Sequence, residues 1–334
     1  MQQYLEAPMC LSYLIPSNEF VPIAIQIKQL PGPQNPIFFP TDSKYDWLLA
    51  KIYVRHADTQ VHQLVSHLLN THLFAEVYCI VTLRKLPSAH PVFKVLSDAL
   101  PVYCTEQGSL AGVRSIAGSR QSSISSTAAH FHCFRGTIWD LVHRFVANIV
   151  DIYYKSNASV QEDEEIHEWA KEIFTEGFLA KQYSGFPTSF STKDDLIKYL
   201  TMVIFSCSAQ HSAVNAGQFD WGSWVRNNPS TMQKPAPTEK GKVTEEDILN
   251  TLLMKSASVL VLATIHLLSQ PSPSKTRLGT YMEQCFIEQR AKECIEKFQE
   301  ALMKIENEIK KRNEGLDLKY TYLIPRVIEN SVAM

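Results

Sequence analysis

Two sets of histidines carry the residue types that could hold a metal ion. His62, His67 and His72 stand five residues apart in a stretch that reads as helix. In an ideal α-helix of about 3.6 residues per turn, positions i and i+5 point roughly 140° apart, so such a pair does not meet at one ion. A π-type widening changes this, because its wider turn brings i and i+5 into line, and such bulges gather at functional sites. The spacing therefore serves a metal only with a local distortion; without one these are ordinary polar or core histidines. The second set lies in Gln210-His211-Ser212-Ala213-Val214-Asn215. His211 and Asn215 are i and i+4 and share one helix face. Imidazoles with an amide oxygen make a neutral N/O donor set, which suits non-haem iron better than structural zinc, which prefers thiolates. An Asn four residues after a His is also common with no metal at all. The sequence contains no HExxH and neither GxSxG nor a phosphate-cradling glycine loop, which removes several familiar enzyme classes.

The elements that must position these residues read as mainly α, with one minor β patch and no repeats. From Asp46 to about Leu86 there is no proline or glycine and apolar residues recur at helical spacing, so one long helix running through a domain centre is expected, capped by Thr41 or Asp42. Val21 to Ile27 alternates apolar and polar residues and reads as a short strand. Helical patterning returns at Trp139–Tyr154, Glu165–Phe178 and Lys193–Ala216, then from Thr244 and over Ser256–Leu268. Phe286 to Arg312 is amphipathic: Ile295, Phe298, Leu302, Ile305 and Ile309 alternate spacings of three and four, and Gly315 stands where a C-cap belongs. That stripe is core packing. Between Leu100 and Gly136, serines crowd a stretch of little periodicity, which composition alone reads as a flexible surface loop.

Composition narrows the class further. The 334 residues are 45% hydrophobic, enough for one large domain or two ordinary ones, and the formal charge of −2 gives no reason to expect a nucleic-acid partner. The basic run Lys304–Arg312 is interrupted by Glu306 and Glu308 and reads as a solvated helix face. Seven scattered cysteines without a CxxC pair point to reduced thiols and a cytoplasmic protein. The amino terminus lacks the pattern of a secretory signal, and the apolar run Val259–Leu268 is too short to cross a bilayer, so a soluble protein is expected.

The histidines sit inside longer motifs. Trp47-Leu48-Leu49-Ala50-Lys51-Ile52-Tyr53-Val54-Arg55, His67-Leu68-Leu69-Asn70-Thr71-His72-Leu73 and Ala75-Glu76-Val77 closely resemble the iron helix of lipoxygenases, and Leu86-Pro87-Ser88-Ala89-His90-Pro91 continues the pattern. Ser208-Ala209-Gln210-His211-Ser212-Ala213-Val214-Asn215, followed by Gly217-Gln218-Phe219-Asp220-Trp221, resembles the second iron helix. Glu329-Asn330-Ser331-Val332-Ala333-Met334 is similar to the family's terminal motif. Three separated motifs in the right order make a specific signal, and animal lipoxygenases are the nearest in kind.

The resemblance implies a lipoxygenase-type helical catalytic domain, built around a long central iron-binding helix and truncated, with residues 1–334 forming its C-terminal part. It implies one non-haem iron per chain, held by His67, His72, His211, Asn215 and the terminal carboxylate of Met334; the family usually ends in isoleucine, and a main-chain ligand tolerates the change. Gln63 and Gln218 would hydrogen-bond around that centre, and Leu68, Leu73 and Leu268 would line an acyl tunnel. Thr59 stands where family members often carry phenylalanine, implying a roomier pocket. The implied reaction takes a hydrogen atom from the CH2 between two cis double bonds of a polyunsaturated fatty acid and adds O2, giving a hydroperoxide. Two departures accompany it. The resemblance leads us to expect no N-terminal β-sandwich, which would weaken membrane association, and residues 97–138 read as divergent, replacing a longer segment that lies over the active site. Two other readings follow from these departures: an inactive remnant with a binding or scaffold role, and a hydroperoxide isomerase.

Overall fold

A computed structural model describes residues 2–17, 19–97, 99, 128–271, 276–281 and 285–332. Met334 and most of the stretch 97–138 lie outside the described residues. The chain divides into two compact units. The first holds residues 1–65 and 217–270, and the second holds residues 66–122, 127–216 and 271–334.

The first unit opens with an antiparallel sheet in the order β1 (Met9–Leu14), β2 (Phe20–Gln26), β3 (Ile37–Phe38). The alternation at Val21–Ile27 made β2 legible. Two further strands flank it, and β1 shows no alternation because all six of its residues are exposed. Met9 pairs with Gln26 and Leu14 with Phe20, and the register shifts between Leu11 and Ser12. Pro22 pairs with Ser12 at that point; it has no N–H to give to the ladder, so one residue is extruded and the strand bulges. Helix α1 (Lys44–Gln60) is capped by Ser43, one or two residues beyond the expected cap, whose Oγ accepts the Asp46 N–H at 3.1 Å. Leu49, Ala50, Ile52 and Tyr53 of α1 pack with Ile25, Ile27 and Phe38 of the sheet segment and with Met232, Ala236, Ile248 and Leu252.

Helix α1 also holds a loop. Tyr53 Oη donates to the Lys234 carbonyl at 2.7 Å, His56 Nδ1 to the Pro229 carbonyl at 2.9 Å, and Gln60 Nε2 to the Ser230 carbonyl at 3.0 Å. Positions 53, 56 and 60 share one helix face. A proline-rich segment lacks the N–H groups to satisfy its own carbonyls by turns, so side-chain donors of the helix do so. This unit also carries α9 (Gln218–Gly222), α10 (Glu245–Thr251), which starts at a Thr244–Asp247 capping box, and α11 (Lys255–Leu268).

Beyond α1 the helical run continues through a π-helical stretch, Val61–Leu73, into α2 (Phe74–Lys85). The 42 residues Lys44–Lys85 are long and apolar enough to cross a membrane by length and composition. Their buried members, among them Leu49 and Ile52 at one end and Ala75, Val77 and Tyr78 at the other, are spent in protein cores.

The second unit has the larger core. It is built from α2, α3 (Pro91–Leu96), α4 (Ala128–Tyr153), α5 (Asn157–Gln161), α6 (Glu164–Glu172), α7 (Lys193–Phe205), α8 (His211–Asn215) and α12 (Gln289–Glu314). The amphipathic stripe expected on α12 is the observed one: Phe298, Leu302, Ile305 and Ile309 are buried, and Phe298 stacks on Phe145 of α4 with ring centroids 4.7 Å apart. Gly315 is its C-cap at φ −93°, so the end of this helix does not use the left-handed conformation that favours glycine there. The helices expected over Glu165–Phe178 and Lys193–Ala216 are each interrupted by π-helical turns, Ile173–Gly177 and Ser206–Gln210.

A half-buried carboxylate ties three of these helices together. His90 Nδ1 accepts the Val92 N–H at 3.1 Å at the start of α3, which leaves the proton on Nε2, donated to Asp163 Oδ2 at 3.2 Å. Tyr154 Oη donates to the same oxygen at 2.5 Å, and Asp163 Oδ1 caps α6 by accepting the Ile166 N–H. Burial raises the Asp163 pKa, but the hydrogen bonds from His90, Tyr154 and Ile166 outweigh it and hold the group at about 2. A carboxyl depressed on folding contributes stability above its unfolded pKa, and that contribution disappears as pH falls through the folded value. Acid unfolding between about pH 4 and about pH 2 should therefore be steeper in the wild type than in Asp163→Asn, measured by circular dichroism against pH. Identical slopes would show that the carboxylate is not coupled to this packing.

Candidate metal centre

The π-helical stretch Val61–Leu73 contains both His67 and His72, so the widening that their five-residue spacing requires is present. A second π turn, Ser206–Gln210, immediately precedes His211. His67 and His211 are buried and His72 is half-buried, all within the second unit. Their ligand nitrogens lie within 4.8 Å of one another. His67 Nε2 and His72 Nε2 are 3.0 Å apart, which is the separation of two adjacent ligands each about 2.1 Å from one ion. The ring centroids form a closed triangle of 4.8, 5.6 and 4.9 Å.

The electrostatics favour lone pairs. Burial lowers the His72 pKa to about 4. Burial, with His72 and His67 adding their own repulsion, pushes His211 well below the ordinary histidine value. Neutral imidazoles present a free nitrogen to a cation. His211 Nε2 is buried with no hydrogen-bond partner, an arrangement that costs free energy unless something else satisfies that atom. The three imidazoles thus fit a divalent or trivalent transition metal, and no thiolate is among them to favour structural zinc.

The remaining candidates sort themselves by position. Asn215 ends α8 one turn after His211, on the same face and half-buried. Val332 and Asn330, near the end of the described chain, are buried in the same unit, and the Asn330 N–H donates to the Thr276 carbonyl at 2.9 Å. Gln63 Nε2 donates to Gln218 Oε1 at 2.7 Å, so the two glutamines expected around the centre do pair with each other, in the first unit. His62, third in the five-residue series, is not part of the cluster. Leu68 is 37% exposed and Leu73 half-buried; Leu268 is 62% exposed.

Thr59 is buried, and its hydroxyl lies 2.7 Å from Asn228 Oδ1 and 2.8 Å from the Arg55 carbonyl. That position works as a polar tie to the loop, a role that sequence reasoning missed. The signal for it was the pairing of a β-branched hydroxyl on a helix with an Asn-Asn-Pro turn far along the chain, and nothing local announces such a pair. A second His-carboxylate group, His90 with Asp163 and Glu165, also meets metal-ligand distances. Both nitrogens of His90 are already committed there, one to the Val92 N–H and one to Asp163, so it is a capping network.

The sequence model of the family described as "Lipoxygenase" matches residues 2–103 and 136–322. The chain is 41% identical over 369 residues to human hydroperoxide isomerase ALOXE3, covering 100% of this chain and 52% of that protein. It is 40% identical over 369 residues to human polyunsaturated fatty acid lipoxygenase ALOX15B, covering 99% and 55%. Among solved structures, coral 8R-lipoxygenase superposes with a TM-score of 0.90 at 31% identity, over 99% of this chain and 56% of that one. The chain spans about half the length of these relatives. The match runs through both histidine segments and through the helices that carry them, and on it this chain belongs to the lipoxygenase family.

Proposed function

We propose that this chain holds one non-haem iron and oxygenates a polyunsaturated fatty acid to a hydroperoxide, with O2 as co-substrate. The observation that carries the reading is the buried triangle of His67, His72 and His211, with its unpartnered Nε2, in a chain of this family. Asn215 and the terminal carboxylate of Met334 complete the proposed ligand set. Bound iron would supply a one-electron oxidant for a doubly allylic C–H, taking its electron while the proton leaves to a base. The protein's part is to keep His72 and His211 unprotonated by burial and to fix the directions of the three imidazoles through two π turns. Leu68 and Leu73, beside the histidines in sequence, are the proposed contacts of the acyl chain. The buried cysteines Cys79 and Cys207, neither in a disulfide, support a reducing, cytoplasmic setting.

A hydroperoxide isomerase is the second reading, favoured by the 41% identity to the human protein of that name. Purified protein should take up oxygen and generate conjugated-diene absorbance with linoleate or arachidonate. Hydroperoxide consumption without oxygen uptake would move the assignment to the isomerase. Neither activity, in protein carrying stoichiometric iron, would leave a metal-binding protein without this chemistry and overturn both readings.

A further inference from the structure

One loop of the second unit is held in a conformation that its residues do not favour. The π turn Ile173–Gly177 ends at Phe178, and the next two residues, Leu179 and Ala180, both sit at φ 53°, the left-handed region that a residue with a Cβ rarely adopts. Such outliers cost free energy, persist only where the surroundings over-determine them, and cluster at active sites and clamps. Here the Ala180 N–H donates to the Phe174 carbonyl at 3.0 Å and the Ser184 N–H to the Lys181 carbonyl at 2.9 Å. Gly185, at φ 75°, completes the turn. The chain is thereby brought back so that the Phe186 ring stacks on Phe178, with centroids 3.6 Å apart. A Cβ on Gly177 would overlap the Val77 side chain, so the start of the loop is also pressed onto α2.

The stacked pair touches both histidine-bearing helices. Phe74 meets Phe178 edge-on at 5.1 Å and Phe186 edge-on at 5.7 Å, and Phe186 also meets Tyr199 edge-on at 6.3 Å. Phe74 is the first residue of α2, directly after the π-helical stretch Val61–Leu73. Its ring therefore stands where the helix changes pitch, two residues from His72. Tyr199 belongs to α7, which runs through the turn Ser206–Gln210 into His211. Long π-helical runs are rare, because the α pitch is normally preferred, so a boundary of this kind needs a hold from outside the helix. Edge-on and stacked aromatic pairs supply attraction that depends on orientation. We infer that Phe186, with Phe178, is a positioning residue: it grips Phe74 and Tyr199 together, fixes the pitch change after His72, and so sets His72 against His67 and His211. Its bearing on a bound metal rests on the function proposed above, whereas the grip on the helix junction does not.

The test compares the full 334-residue chain with its Phe186→Leu and Phe186→Tyr variants. Phe186 is half-buried, so leucine there opens no sealed cavity, and tyrosine keeps the stacking ring. In metal-free protein, hydrogen exchange read by mass spectrometry should be about 10-fold faster over residues 66–78 in Phe186→Leu, the order expected for losing such ring pairs. Exchange over α12, which packs in the same unit, should not change, and Phe186→Tyr should match wild type throughout. Titration with cobalt(II), read by its ligand-field absorption, should show binding about 10–100-fold weaker in Phe186→Leu, the range for groups that support a metal ligand. Phe186→Tyr should bind cobalt like wild type. Unchanged exchange over 66–78 would overturn the inference, as would acceleration spread evenly into α12, which marks an ordinary core residue. Wild-type cobalt affinity in Phe186→Leu would show that the grip does not reach His72 and would overturn it too. Wild-type protein that takes up no cobalt would instead sink the metal centre, and the exchange pattern would still decide the grip.

Discussion

His211→Ala protein purifies with less than roughly a tenth of the wild-type metal, while His62→Ala protein keeps its full complement. Disturbing groups that merely support a metal ligand already costs about 10–100-fold in affinity, so removing a ligand should cost at least the upper end of that range. The contrast between the two histidines is the informative part. Both lie on or next to π-helical backbone, yet only His211 closes the triangle with His67 and His72. Removing the His211 imidazole also relieves a buried nitrogen that has no partner. The variant should therefore fold at least as well as metal-free wild type, and metal loss cannot be blamed on unfolding. Metal analysis of protein loaded with ferrous iron, alongside helicity by circular dichroism, decides it. Equal iron in both variants would remove the centre from this site.

The second large effect concerns the core that holds the centre. Trp169→Ala should lower stability by about 3–5 kcal/mol, the usual cost of truncating a buried aromatic to alanine. Trp169 has no exposed surface, its Nε1–H donates to Thr82 Oγ1 at 3.0 Å, and its ring meets Tyr199 edge-on at 5.5 Å. It joins α6 to α2, the helix that continues directly from the histidine-bearing stretch. A loss of that size is a large share of the roughly 5–15 kcal/mol that holds a typical domain together. Trp169→Phe keeps most of the ring and forfeits mainly the hydrogen bond, a cost of about 0.5–1.5 kcal/mol with some residual cavity. Thermal or urea unfolding of the three proteins should thus rank wild type, Phe, Ala with a wide last step. An alanine variant within about 1 kcal/mol of wild type would mean that this core collapses around the gap.

The parts of this molecule that were legible in the amino-acid sequence are those governed by local rules. The long helix beginning near Asp46, the stripe on α12 and the helix starting at Thr244 all follow from capping residues and apolar spacing, and each is where it was expected to within a few residues. The five-residue histidine spacing even specified the helix type it needed, and Val61–Leu73 has that type. Illegible features depend on distant partners. Strand β1 has no alternation to betray it, because neither face of it is buried. The π turns at Ile173–Gly177 and Ser206–Gln210 hide in sequence, since one extra residue per turn blurs a periodicity without breaking it. The hydroxyl of Thr59 meets Asn228, 169 residues away, a partner that no local pattern announces.

The π-helical stretch also behaves as a screw thread cut to the wrong pitch, and the spacing of its two histidines is matched to that pitch. Spacing and pitch are therefore a single inherited variable. Deleting one residue between His67 and His72 would leave them four apart, a spacing that an ordinary α-turn aligns without any widening. The thread could then relax to the common pitch and still present both imidazoles on one side. Because His72 would keep its direction in the relaxed turn, the residues after it, from Phe74 to Lys85, would keep theirs. Point substitution can retune such a centre in small steps, whereas a change of spacing there has to come with a matching change of pitch.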